Sequence, residues 1–202
     1  MTKTTTLGVP MNWIVFDYGE VLSKPSAARP DLAATMGAPL PEFEKAYWDY
    51  RIPYDAGSTP LEYWQAVGAA VGVPVDEAMS AELTRIDIEG WGHLEPASEA
   101  LLEALSEAGA ALALLSNAPS VFGEWVRAQD WARHFRVTLF SGDVRCVKPD
   151  AKIFRLLLDE LGAEPADCLF FDDRESNVDG ARAVGLRAHV WNGADAARAW
   201  LD

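Results

Sequence analysis

Several short stretches of this chain place reactive side chains directly after runs of apolar residues. Asp17 follows Trp13–Phe16, Ser116 and Asn117 follow the run 111–115, and Lys148-Pro149 lies in the segment after Val137–Phe140. The adjacent pair Asp172-Asp173, with Asn177 close behind, follows the run 168–171. A carboxylate, a hydroxyl, an ammonium and paired carboxylates brought to one edge would suit phosphoryl transfer through a covalent intermediate. Asp17 would attack phosphorus, but an anion approaching a phosphate dianion needs its charge offset. Mg2+ would provide that, held by Asp17, Asp173 and a backbone carbonyl near Gly19, with Asp172 in support. Lys148 would hold Asp17 and the phosphoryl oxygens, and Ser116 would donate to the transferring group. Asn117 would contact substrate or brace its own loop, and Asn177 would order the loop after Asp172-Asp173. The competing reading makes these acids ordinary turn residues, yet adjacent carboxylates after a buried strand are costly without a cation.

The elements that must position these groups are legible from the apolar pattern. Strands are expected at Trp13–Phe16, 111–115, Val137–Phe140, 168–171 and 188–191. Helical patterns separate the later ones, at 97–108, 120–131, Ala151–Leu161 and 177–184, three of them closed by Gly109, Gly162 and Gly185. Glycine past a helix end is a standard stop signal. Strands alternating with helices, the strands nearly continuous in apolar residues, predict an α/β fold with a parallel sheet covered on both faces. In such a sheet ligands collect at the carboxyl ends of the strands, which is where the reactive residues fall. Residues 24–92 break the alternation: helical periodicity at Arg29–Met36, 41–50, Pro60–Val71 and 75–88, with no clear strand, predicts an inserted helical lobe.

These stretches resemble the four motifs of the haloacid dehalogenase (HAD) superfamily. They are Phe16-Asp17-Tyr18-Gly19-Glu20-Val21-Leu22, Leu114-Leu115-Ser116-Asn117, Val147-Lys148-Pro149-Asp150, and the stretch 170–181 that opens Phe170-Phe171-Asp172-Asp173. The resemblance spans roughly residues 12–195. It implies a Rossmann-like core at 12–23 and 93–202, a helical C1-type cap at 24–92, and Mg2+-dependent phosphatase chemistry with Asp17 as nucleophile. Within the superfamily the motifs are similar to the subgroup of the bacterial glucose-1-phosphate phosphatase and the phosphatase domain of soluble epoxide hydrolase.

One position departs from the pattern. Most phosphatases of this superfamily carry a second Asp two residues after the nucleophile, as the acid that protonates the leaving group; here Gly19 stands there. General-acid help of this kind contributes about 10² to 10⁴-fold. Three explanations compete: a leaving group that needs little protonation, such as an anomeric or acyl phosphate; acid/base work by Glu20 or a cap residue such as His93; or a catalytically weak protein that binds phospholigands. A 2-haloacid dehalogenase is a further alternative, disfavoured because its expected Tyr would lie two residues after the nucleophile, whereas Tyr18 lies one after.

Substrate selection is expected from the cap. Its segment from Trp48 to Gly57 contains a Pro and Gly turn from which Arg51 and Tyr54 would face the cleft, and Arg beside aromatics suits an anionic or hydroxylated ligand. The competing reading has Trp48, Tyr63 and Trp64 packing the cap's own core. Cys146 and Cys168 read as buried packing groups.

The 202 residues carry a formal net charge of −14, and half of them are apolar. Such acidity repels nucleic acid and anionic membrane, and residues 24–92 alone hold eleven acidic and five basic side chains. The expected substrate is therefore a small phosphorylated metabolite, a sugar phosphate being one candidate, with no nucleic acid and no membrane as partners. Two cysteines outside any paired motif and a polar N-terminus without an apolar stretch predict a cytoplasmic protein whose residues 1–11 form an unstructured tail.

Overall fold

The computed structural model describes residues 13–201; the expected tail lies outside them. Within them β1 (Trp13–Phe16), β2 (Ala111–Ser116), β3 (Val137–Phe140), β4 (Cys168–Asp172) and β5 (Arg187–Val190) form one parallel sheet in the order β3-β2-β1-β4-β5. All residues of β2 and β4 are buried, as a sheet covered on both faces requires. Alternation along the strands divides them between two cores. Val15, Ala113, Leu115 and Phe170 pack on one face against α9 (Ala151–Leu161) and α10 (Glu175–Ala183). Phe16, Leu112, Leu114 and Phe171 pack on the other against α6 (Pro96–Glu107) and α7 (Ser120–Arg127).

The register explains why the reactive residues meet. Phe16 pairs with Leu114 on one side and Phe171 on the other. Asp17, one residue on, therefore emerges between Leu115-Ser116 and Asp172, and its N–H donates to Phe171 O at 2.9 Å.

Between β1 and β2 the chain builds the helical lobe: α1 (Arg29–Met36), α2 (Leu40–Asp49), α3 (Arg51–Asp55), α4 (Pro60–Val71) and α5 (Glu77–Trp91). It leaves and re-enters the core through an antiparallel bridge between Ser23 and Leu94, flanked by Lys24 N–H to His93 O and Glu95 N–H to Leu22 O, both 2.8 Å. Its own core packs Leu32, Phe43, Tyr47, Trp64, Val67 and Leu83. A Thr59/Glu62 capping box starts α4, and Asp76 caps α5. A second contact lies opposite the hinge, where Ser141, opening the short helix α8 (Ser141–Val144), donates its hydroxyl to Asp55 O at 2.6 Å. Gly57, at φ +103°, allows this approach, since a Cβ there would lie 2.9 Å from Gly142 O.

Three expectations about elements need correction. The helix expected at 120–131 stops at Arg127, and a 3₁₀ turn, Asp130–His134, follows. There Trp131 stacks on Tyr18 at 5.8 Å, a tertiary contact that local periodicity does not encode. The expected Pro and Gly turn after Trp48 is largely α3, because Pro53 sits in a first turn where its missing N–H costs nothing. The last strand ends at Val190 rather than Trp191, whose N–H still donates to Asp172 O.

Candidate active site

Lys148 organises the floor of the cleft. Its side chain has no solvent exposure, and Nζ lies 2.6 Å from Asp172 Oδ2, 2.9 Å from Asp17 Oδ1 and 2.9 Å from Leu115 O. Burial pulls the ammonium pKa down, but Asp17 and Asp172 more than offset that, so the net shift is upward and the group stays charged. Asn117 positions this lysine: its Nδ2 donates to Lys148 O at 2.9 Å and its Oδ1 accepts from Lys148 N at 2.8 Å. Of its two expected roles Asn117 therefore fills the bracing one, and it also lines the cavity, where the expected substrate contact would be made.

Both carboxylate oxygens of Asp172 are likewise engaged. Besides Lys148 it accepts Arg174 N–H and Asn177 Nδ2, both at 2.9 Å on Oδ1, so Asp172 and Asn177 brace the loop after β4. Asp173 is half-buried, 4.0 Å from the exposed Arg174 guanidinium, and burial followed by the neighbouring Asp172 raises its pKa. Burial, only partly countered by Lys148, lifts the Asp17 carboxyl to about 6. One carboxylate oxygen from each of Asp17, Asp172 and Asp173 falls within a 4.8 Å cluster, and buried Asp17 Oδ1 receives no hydrogen bond of good geometry although Lys148 lies at ion-pair distance. Concentrated hard oxygens with an under-satisfied buried lone pair fit a divalent cation, with Asp17 and Asp173 holding the free ligand atoms.

A cavity of about 520 Å³ opens above this floor and is roofed by the cap. The core lines it with Asp17, Gly19, Glu20, Ser116, Lys148 and Asp173, and the cap with Trp48, Arg51, Ile52 and Asp55. Ser116 is buried at the end of β2, and its hydroxyl has no protein hydrogen bond among the described residues, which leaves it available to a ligand. Glu20 is exposed and held at φ +57° just beyond Gly19. His93, exposed at the hinge, does not line the cavity.

On the cap side the structure separates the expected contacts. Trp48 lines the cavity at 43% exposure, whereas Tyr63 and Trp64 are buried in the cap core. Tyr54 does not face the cleft: it is 1% exposed and stacks on Tyr63 at 4.2 Å, because α3 turns it inward. Arg51 reaches the cavity but is engaged, pairing with Asp55 at 2.9 Å and Asp87 at 3.0 Å and donating to Tyr47 Oη at 2.7 Å. Sequence reasoning missed Ile52, Asp55 and Asp87. Asp55 carries a signal, four residues after Arg51 on one helix face; Asp87, thirty-six residues on, carries none.

The fold and this constellation define a hydrolase class, and a haloacid dehalogenase-like hydrolase family model matches residues 12–185. The chain belongs to that family. It is 26% identical to phosphatase MT3486 of Mycobacterium tuberculosis over 185 residues, 88% of this chain and 85% of that one. It is 39% identical to a phosphoserine phosphatase of Thermus thermophilus over 100 residues, which span only 48% of this chain and 40% of that relative. Among solved structures, a HAD family enzyme of Bacteroides thetaiotaomicron superposes with a TM-score of 0.73 at 19% identity, covering 95% of this chain and 99% of that one. A further structure of that enzyme is a complex with magnesium and inorganic phosphate. Among the described residues no helix is long and apolar enough to cross a membrane.

Proposed function

We propose that this protein is a Mg2+-dependent phosphomonoester hydrolase that acts on a small phosphorylated metabolite through an aspartyl-phosphate at Asp17. The observation that carries this reading is the buried Lys148 ammonium clamped between Asp17 and Asp172 below an open cavity. It fixes one face of the nucleophile while leaving the carboxylate beside an uncommitted hydroxyl and a further acid. Phosphatases among the relatives, and the phosphate complex of the Bacteroides enzyme, support the same chemistry.

Mg2+, held by Asp17 and Asp173 with a backbone carbonyl near Gly19, would offset the charge of the phosphoryl group. At neutral pH Asp17 is mostly ionised. It attacks phosphorus in line; the bond to the leaving oxygen breaks, and that oxygen keeps the electron pair and takes a proton. Lys148 and the Ser116 hydroxyl stabilise the charge on the transferring group. Water then attacks the acyl-phosphate, releasing phosphate and regenerating Asp17. With Gly19 in place of an acid, the proton comes from solvent or from exposed Glu20. Cys146 and Cys168 are buried and unpaired, consistent with a reducing, cytoplasmic setting.

The test is hydrolysis of p-nitrophenyl phosphate, whose leaving group needs no acid. Turnover should require Mg2+, be lost reversibly with EDTA, and fall on the order of 10⁴-fold or more in Asp17→Asn, as for loss of a nucleophile. A fully active Asp17→Asn variant would sink the mechanism. The second reading, a phospholigand-binding protein, draws on Gly19 alone and is favoured if Mg2+ releases no nitrophenol.

A further inference from the structure

The cap half of the cavity has no uncommitted cation. Arg51 is the cap's one positive group lining the cavity among the described residues, and its guanidinium already faces two carboxylates, Asp55 and Asp87, so this cluster is net negative. Its side chain is 12% exposed and that of Asp87 7%; drawing Arg51 toward a ligand would strand a buried carboxylate, a strongly unfavourable change. On the core rim Arg174 also lines the cavity, its side chain 66% exposed and its guanidinium no nearer than 4.0 Å to Asp173, so the loosely held cation lies on the core side and not on the cap. On its own side the cap leaves two large apolar side chains bare at the cavity, Trp48 at 43% and Ile52 at 68% exposure. Trp48 is not a loose surface residue, because its ring packs edge-on against Tyr47 at 4.8 Å with the Arg29 guanidinium 6.0 Å from it.

From this we infer that the leaving group of the substrate is uncharged and presents a flat apolar face to Trp48 and Ile52, and that phosphomonoesters carrying a second anionic group on that side are rejected. The inference rests on the phosphatase reading for the place of the phosphoryl group. An aromatic ring or the C–H face of a sugar has the required shape, since an indole gains from flat apolar contact. A carboxylate placed there meets the net negative Arg51 cluster and loses its water without acquiring a partner.

The test uses binding, so that it does not depend on turnover. Phenylphosphonate and 4-carboxyphenylphosphonate, which differ only in the added charge, are titrated calorimetrically into the Mg2+-supplemented protein. Phenylphosphonate should bind about tenfold or more tightly, as like-charge juxtaposition opposes association. Ile52→Lys, at a position exposed enough to accept the change, should narrow or invert that ratio. Equal affinities, a preference for the carboxylate, or a ratio unmoved by both Ile52→Lys and Trp48→Ala would overturn the inference. Hydrolysis of p-nitrophenyl phosphate, run alongside, separates the two claims. Discrimination between the phosphonates without hydrolysis leaves the preference for an uncharged, flat ligand face standing and removes the phosphatase reading; hydrolysis with no discrimination does the reverse. Failure of both phosphonates to bind counts against the inference.

Discussion

Lys148, fully buried, and Arg51, largely shielded, are cations each flanked by two carboxylates, yet they stand on opposite sides of the cleft with opposite relations to it. Lys148 holds Asp17 and Asp172 at 2.9 and 2.6 Å, and one of these partners is the proposed nucleophile, so its charge is delivered to the reacting centre. Arg51 holds Asp55 and Asp87 at 2.9 and 3.0 Å and ties in Tyr47, whose hydroxyl also accepts from Trp91 Nε1 at 3.1 Å. That network closes on the cap itself and leaves the ligand an apolar wall. An ion pair in a pocket therefore says little about ligand charge until its partners are followed to where they point.

The comparison breaks most visibly at Lys148. Lys148→Met leaves Asp17 and Asp172 buried without their cation, a change that costs about 3–5 kcal/mol when a buried pair is broken. Turnover of p-nitrophenyl phosphate should fall on the order of 10³-fold, as for other losses of preorganised charge. Arg51→Met should lower the melting temperature comparably while affecting turnover far less. If the two variants lose activity equally, the division between a reacting floor and a structural roof is wrong.

Gly19 tests the floor from another direction. A Cβ there would meet only Trp91 Cζ3, at 3.8 Å, an ordinary contact, so the glycine is not required by crowding. Gly19→Asp should supply the missing acid and raise kcat/KM on alkyl phosphates by about 10²-fold, the low end of general-acid contributions. The gain on p-nitrophenyl phosphate should be small. An equal gain on both substrates would mean that the new carboxylate acts through the metal or the loop instead.

Much of the floor was readable because it depends on short-range rules. Apolar runs mark the strands, a parallel sheet sends ligands to their carboxyl ends, and Asp17, Ser116, Asp172 and Asp173 all sit within two residues of such an end. Lys148 lies farther from a strand, and only its motif with Pro149 pointed to it. The ties of Asn117 to Lys148 and of Arg51 to Asp87 were not readable, because these partners are thirty-one and thirty-six residues away and only packing brings them together. Tyr54 failed for a related reason: a Pro and Gly segment suggested a turn, but Pro53 falls where a helix tolerates it, and α3 rotates the ring into the cap core.

The Asp17 carboxyl yields a smaller effect, in pH. Burial raises its pKa to about 6, and Mg2+ binds the ionised form, so protons compete with the metal below that value. Mg2+ affinity, measured calorimetrically, should be flat near pH 8 and weaken by about tenfold per pH unit once pH falls below about 6, if one proton is displaced. A midpoint near the ordinary carboxylate value would mean that Lys148 outweighs burial.

The smallest effect is expected at Trp48, where it sharpens the contrast between the two sides. The ring is partly exposed and rests on Tyr47, so Trp48→Ala removes some edge contact without opening a sealed core. Its stability cost should stay within about 1 kcal/mol, in the range of partly exposed sites. Phenyl phosphate should show a KM about tenfold higher with a smaller change in kcat, the pattern left when an interaction common to ground and transition states is lost. A fall in kcat at constant KM would instead give Trp48 a part in the chemical step, and the apolar roof could no longer be treated as separate from the charged floor.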